Sequence, residues 1–104
     1  MSLTTRTQAA TREELATNLS LAGETPDEIA TKIGLSEARV LAALDVAGAR
    51  PEDVWLVRDY LDHVISEAGG TPRPYSSLSE QMRAAAENWF PLVDVDQAMR
   101  EATR

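Results

Sequence analysis

The residues with the clearest chemical use lie in a short stretch whose spacing is typical of a helix-turn-helix. Ala30 permits two helices to cross closely, Gly34 relieves the backbone at the turn, and Val40 packs the second helix against the first. In DNA-binding proteins of this kind the second helix enters the major groove. If this one does so, the expected groove-facing residues are Ser36, Glu37, Arg39, Leu41 and Ala42. The expected phosphate contacts are Lys32, Arg50 and Arg12.

This set of side chains is a poor one for reading DNA. It has no Asn or Gln for adenine, and Glu37 and Asp45 repel phosphate unless one of them accepts from a cytosine amino group. The 17 acidic and 10 basic residues give a formal net charge of −7, which opposes long-range attraction to DNA. Two hypotheses therefore stay open. One is transcription-related DNA binding as a homodimer; the other is a non-catalytic protein-interaction module, or adaptor, that uses the same fold and its acidic surface, including Asp59 and Asp62.

The aromatic residues form a second group of candidates, because all of them lie in the second half of the chain. Trp55 and Leu56 fall off the apolar stripe predicted for their helix, so another part of the chain should cover them. We expect a second small core in which the loop around Tyr75 covers them together with Trp89 and Phe90. The alternative is a ligand pocket or a symmetric dimer surface built from Trp55, Tyr75, Trp89 and Phe90.

Signals for metal binding or catalysis are weak. His63 is the only histidine, and its spacing from Asp59 is typical of an exposed pair on a charged helix face. The Asp94-Val95-Asp96 segment lacks the glycine and the distal glutamate of a calcium loop and suits a helix cap. The sequence has no G-x-S-x-G, no glycine-rich phosphate loop and no H-E-x-x-H motif. We therefore predict that the protein is not an enzyme and uses neither a metal nor a cofactor.

Composition narrows the class of protein further. A chain of 104 residues, 43% of them apolar, can form one hydrophobic core. Cysteine is absent, which excludes disulfides and thiolate metal sites. The longest apolar runs, such as Val40–Leu44, are far shorter than the roughly 20 residues of a membrane span. The first residues lack the apolar stretch of a signal peptide, so we expect a cytoplasmic protein.

The elements that must position these residues are predicted to be helices. Apolar residues recur every three or four positions rather than every two, which indicates one all-α domain. Residues 5–48 are expected to form a helix-turn-helix-like three-helix core, with Gly23 and Gly34 ending helices and Pro26 starting one. The predicted helices of this core cover about 5–22, 26–33 and 36–47.

Residues 51–93 are expected to form a helical extension that packs back onto the core through its aromatic residues. Its first helix should begin at Pro51 and end at about Ala68, because the apolar residues between them fall within one arc of the helical wheel. The Gly- and Pro-rich segment that follows predicts a stiff loop.

The last part of the chain gives weaker signals. Ser77 and Glu80 have the spacing of a capping box for a fifth helix, which Pro91 terminates. Residues 94–104 carry few apolar side chains, so we expect a weakly ordered tail in which Asp94 caps a weak last helix.

Several segments from both halves form a recognisable combination. They are Ala10-Thr11, Glu14-Leu15 through Asn18-Leu19, Ile29-Ala30, the run from Trp55 to Leu61, Pro72-Arg73-Pro74-Tyr75 with Leu78, and Trp89-Phe90. Together they resemble a family of small bacterial proteins of unknown function, over most of residues 3–93. Because that family is similar to helix-turn-helix proteins in its first half, the resemblance implies this fold and a bacterial cytoplasmic setting. It implies no ligand, substrate or DNA site, and so it adds no functional residue.

Overall fold

A computed structural model describes residues 5–103, which contain six α-helices and no strand. The helices are α1 (Thr5–Ala22), α2 (Pro26–Ile33), α3 (Glu37–Asp45), α4 (Pro51–Glu67), α5 (Glu80–Trp89) and α6 (Val95–Ala102). The predicted all-α fold is confirmed. None of the helices found in residues 5–103 combines the length and apolar character needed to cross a membrane.

The centre of the fold is α4, which packs against α1, α2, α3 and α6. All six residues from Asp53 to Arg58 are buried, which happens only when a helix is surrounded on every side. Trp55 and Leu56 are therefore covered, as the sequence requires, at 5% and 3% exposure. The two halves of the chain share one core through this helix.

The predicted helix-turn-helix is formed by α2 and α3. Thr25 and Glu28 make a reciprocal capping box at the start of α2. Gly34 ends that helix with a φ of 74°, a left-handed conformation that a side chain would strain. The Ser36 hydroxyl then accepts from the backbone N–H of Arg39 and begins α3. The buried residues of α2 and α3, together with Leu15 of α1, are Leu15, Ile29, Ala30, Ile33, Val40 and Ala43.

The predicted capping box at the fifth helix is wrong. Ser79 rather than Ser77 precedes α5, and the Glu80 carboxylate accepts from the Arg83 guanidinium instead of a backbone N–H. A hydrogen bond between two charged groups is stronger than a cap to a neutral amide, so Glu80 is drawn away from the helix end. The same carboxylate lies 3.1 Å from Arg58 of α4, which fixes where α5 begins.

The tail predicted to be weakly ordered forms α6, which packs against α2. The Asp94 carboxylate caps it, as predicted, by accepting from the backbone N–H of Gln97. Ala98 is 6% exposed, and Ala102 lies beside the turn, its Cβ 3.6 Å from where a Cβ on Gly34 would be. The tail has few apolar residues, but they fall on one side of the helix, and small ones suffice because α2 offers a close approach.

Candidate binding surfaces

The outward side of α3 is the surface that a helix-turn-helix protein presents to DNA. Glu37, Leu41 and Asp45 are spaced i, i+4, i+8 along α3 and form one row on it. Leu41 is 49% exposed, a large apolar side chain with no internal packing role. We call the surface made by Glu37, Ala38, Leu41, Ala42 and Asp45 the α3 face.

Arg39, expected to contact a base, instead joins α3 to α4. Its Nε and Nη2 donate to the two carboxylate oxygens of Asp53 at 2.9 and 2.7 Å. The Asp53 side chain is only 4% exposed, so this carboxylate depends on the guanidinium for its counter-charge. The hydrogen bond with Asp53 raises the pKa of Arg39 above its ordinary value. Arg39 therefore connects α3 to α4, whereas the DNA hypothesis needs it as a cation that is free to contact a base.

Of the three residues expected to contact phosphate, Arg12 is paired with an acid, whereas Lys32 and Arg50 are not, within the described part of the chain. The Arg12 Nε donates to the backbone carbonyl of Asp45 at 3.0 Å and lies 3.3 Å from its carboxylate. Both side chains are well exposed, so the pair adds little stability, but the two charges cancel. Lys32 and Arg50 are exposed and form no ion pair with any other residue between 5 and 103. Glu37 is also exposed and also forms no ion pair with residues 5–103, so it is the uncompensated charge of the α3 face.

The acidic residues of α4 that the adaptor hypothesis assigned to a partner are held by arginines. The Asp59 carboxylate accepts from Arg58 Nη1 at 2.8 Å and from Arg83 Nη1 at 3.1 Å. It is 11% exposed, so the prediction of an exposed pair with His63 is wrong. Asp62 lies 3.1 Å from Arg58, yet burial raises the pKa of its carboxyl above the ordinary value. These acids are part of the packing of α4 and α5 rather than an open acidic surface.

The same two arginines cover Trp55. The guanidinium carbons of Arg58 and Arg83 lie 5.7 and 4.9 Å from the centre of its ring, within cation–π range. Arg58 also lies 5.0 Å from the ring of Tyr75, which is buried as expected. Sequence reasoning missed this role, although an arginine inside the apolar run from Trp55 to Leu61 was a signal for it.

The prediction that Trp89 belongs to a second core is wrong, since its side chain is 71% exposed. None of the residues of α5 is buried. The helix attaches to α4 through the charged side chains of Arg83 and Glu80, and on its apolar side Ala86 packs partly buried against the core.

A cavity of about 320 Å³ results between α5 and the rest of the bundle. Trp55, Trp89 and Phe90 line it, which brings together three of the four aromatic residues expected for a pocket. The fourth, Tyr75, packs against Arg58 instead.

Two polar side chains of α1 hold the loop between α4 and α5. Sequence reasoning named them only as part of the family resemblance and gave them no role. Asn18 Nδ2 donates to the Arg73 carbonyl at 3.0 Å, and Asn18 Oδ1 accepts from the Arg73 N–H at 2.7 Å. One turn earlier, the Glu14 carboxylate accepts from both the backbone N–H and the hydroxyl of Ser76. The signal was there: Glu14 and Asn18 share the side of α1 that carries Leu15.

Comparison with known proteins agrees with the resemblance found in the sequence. Residues 1–91 match a family model described as "Uncharacterized protein conserved in bacteria (DUF2316)". The matched residues include α1 to α5 and end before α6. No curated protein and no solved structure matches the chain significantly. The chain thus belongs to this family of uncharacterised bacterial proteins, DUF2316.

Proposed function

We propose that this protein is a non-catalytic interaction module that binds a basic protein segment through the α3 face. The observation that carries the proposal is the exposed Leu41, with Ala38 and Ala42 beside it and Glu37 as the nearest uncompensated charge. An apolar centre with a charged edge is the usual make-up of a protein-binding surface.

The position of Arg39 weighs against DNA as the ligand. Its release toward a base would leave the Asp53 carboxylate, at 4% exposure, without its counter-charge. Breaking the pair leaves this buried carboxylate without its partner, a cost that a contact with a base would have to offset. Arg12 is occupied by Asp45, so the surface around α3 has little positive charge to offer.

Charge also selects among protein partners. The net charge of −7 favours encounter with a basic segment and disfavours a second copy of the same acidic chain. We therefore expect the partner to place an apolar side chain on Leu41 and a Lys or Arg opposite Glu37.

The test uses a fluorescein-labelled amphipathic helical peptide made of Leu and Lys, titrated with the protein by fluorescence anisotropy. The variants Leu41→Ser and Glu37→Lys should each weaken binding about tenfold, because a central apolar contact and a paired charge are lost. The matched controls are Leu21→Ser at another exposed leucine and Glu67→Lys at an exposed acid of α4.

The controls should bind the peptide like the unmodified protein. If Glu37→Lys and Glu67→Lys weaken binding equally and Leu41→Ser leaves it unchanged, the peptide adheres to net negative charge alone and the proposal fails.

DNA binding as a homodimer is the second candidate, and the exposed Lys32 and Arg50 favour it. A labelled random duplex is titrated in the same assay at about 50 and 200 mM salt, where phosphate contacts weaken steeply. We expect no binding at the lower salt. Binding that falls steeply with salt and is lost in the double variant Lys32→Glu, Arg50→Glu would replace the protein-interaction proposal with this one.

A further inference from the structure

The cavity beside α5 is a second site, separate from the α3 face. Its walls are α5 and the loop before it, the start of α4, the segment that follows α3, to which Val46 contributes, and Gln8 of α1. Trp55 lies on the α4 side, and Met82, Trp89 and Phe90 lie on the α5 side. No charged side chain lines it among residues 5–103.

The inner side of α5 leaves apolar surface uncovered. Met82 is 38% exposed and Trp89 71% exposed, although both border the cavity. A molecule that enters the cavity removes this surface from water and gains the corresponding hydrophobic free energy. Methionine adapts its shape easily, so this wall can close on ligands of differing outline.

We propose that the cavity binds an uncharged aromatic molecule of about ten non-hydrogen atoms. The volume of about 320 Å³ is that of about ten water molecules in the liquid, so a two-ring compound fills it whereas a helix does not enter. Flat rings stack well on tryptophan. A charged ligand loses its hydration and meets no opposite charge in the lining, so it is disfavoured.

The chain carries its own reporters, since both of its 2 tryptophans line the cavity. Indole, an uncharged two-ring compound, is the probe, and the indole N–H signals of Trp55 and Trp89 are followed by ¹H–¹⁵N correlation NMR. Both signals should shift saturably with a dissociation constant at or below about 1 mM, which is ordinary for a ligand of this size. If neither signal shifts up to about ten times that concentration, the proposal is overturned.

The site is located with a matched pair of substitutions on α5. Ala85 lines the cavity, whereas Ala84 is exposed and lies outside it. Ala85→Phe should weaken indole binding at least tenfold by filling the space, and Ala84→Phe should leave binding unchanged. Trp89→Ala provides a variant that keeps the fold, because this side chain is already exposed, and it should also weaken binding about tenfold.

Two results besides the absence of shifts would contradict the proposal. Equal affinity of Ala85→Phe and the unmodified protein would place the indole elsewhere. Equal affinity for indole and indole-3-carboxylate would show that the lining does not exclude charge, whereas we expect the carboxylate to bind at least tenfold more weakly.

Discussion

One buried amide, that of Asn18, satisfies both backbone hydrogen-bonding groups of Arg73. The loop that contains Arg73 has two prolines and no helix or sheet of its own, so its polar backbone groups depend on side chains from α1. Asn18 is fully buried, so its removal leaves these two backbone groups without their side-chain partner.

Replacement of Asn18 by alanine should therefore lower the free energy of unfolding by about 2–3 kcal/mol, since two backbone groups lose their partners. Urea denaturation measures the change. Ser20→Ala, at an exposed position of the same helix, is the control and should stay within about 0.5 kcal/mol of the unmodified protein. Equal stability of the two variants would mean that water reaches the loop.

Single residues could be assigned from the sequence where their role is local. Gly34 acts through the backbone next to it and ends α2 as expected. Ser36 was expected to face the groove, and its hydroxyl caps α3. Arg39 has an equally recognisable type, but its role depends on Asp53, which lies on another helix. Spacing along one segment carries no information about a partner on another helix. For this reason Arg39, which pairs with Asp53, was interpreted as a base contact.

At the scale of elements, α5 differs from the other helices in how it is held. It buries none of its residues. It is attached to α4 by Arg83, which donates to Asp59 and lies over the ring of Trp55, and by Glu80, which pairs with Arg58. A helix fixed by charged hydrogen bonds more than by apolar burial should open more readily than α4.

Arg83→Met should loosen α5 selectively, because the charged hydrogen bonds that join it to Asp59 of α4 disappear. We expect the amides of α5 to lose about 1–2 kcal/mol of protection in hydrogen exchange, while those of α4 change little. Gln81→Met, exposed on the same helix, is the control. Unchanged protection in Arg83→Met would show that apolar contacts alone hold the helix.

The helices of the first half could be predicted closely because proline and glycine mark their ends. The bounds of α1 and α2 agree with the prediction, and α3 and α4 differ by one or two residues. The start of α5 could not be found in this way, since it is set by Arg58 and Arg83 rather than by a local cap. The docking of α6 also depends on another element, α2, and its own composition gave no sign of it.

For the molecule as a whole, α6 is an addition to a bundle that the remaining helices already form. Its contacts are with α2 and α4, and Ala98 is its buried residue. The family match ends before it, at residue 91, and includes α1 to α5.

A chain ending at Val93 should therefore remain folded but lose about 2 kcal/mol of stability, because the apolar side of α6 no longer covers α2. Thermal unfolding followed by circular dichroism measures the loss. Ala98→Asp in the full chain should have a similar effect, whereas Glu101→Gln at an exposed position should not. An unfolded shortened chain would contradict this prediction, because it would mean that α1 to α5 do not fold without α6.

The burial of the first half of α4 on every side has a consequence for how the chain can be divided. Its six consecutive buried residues face partners from both halves, and Asn18 and Arg73 join α1 to the loop beyond α4. The helix-turn-helix is therefore not an independent unit. Without the rest of the chain it would expose its buried apolar residues and lose Asp53, the counter-charge of Arg39. Recombination or design that moves this motif must move α4 with it.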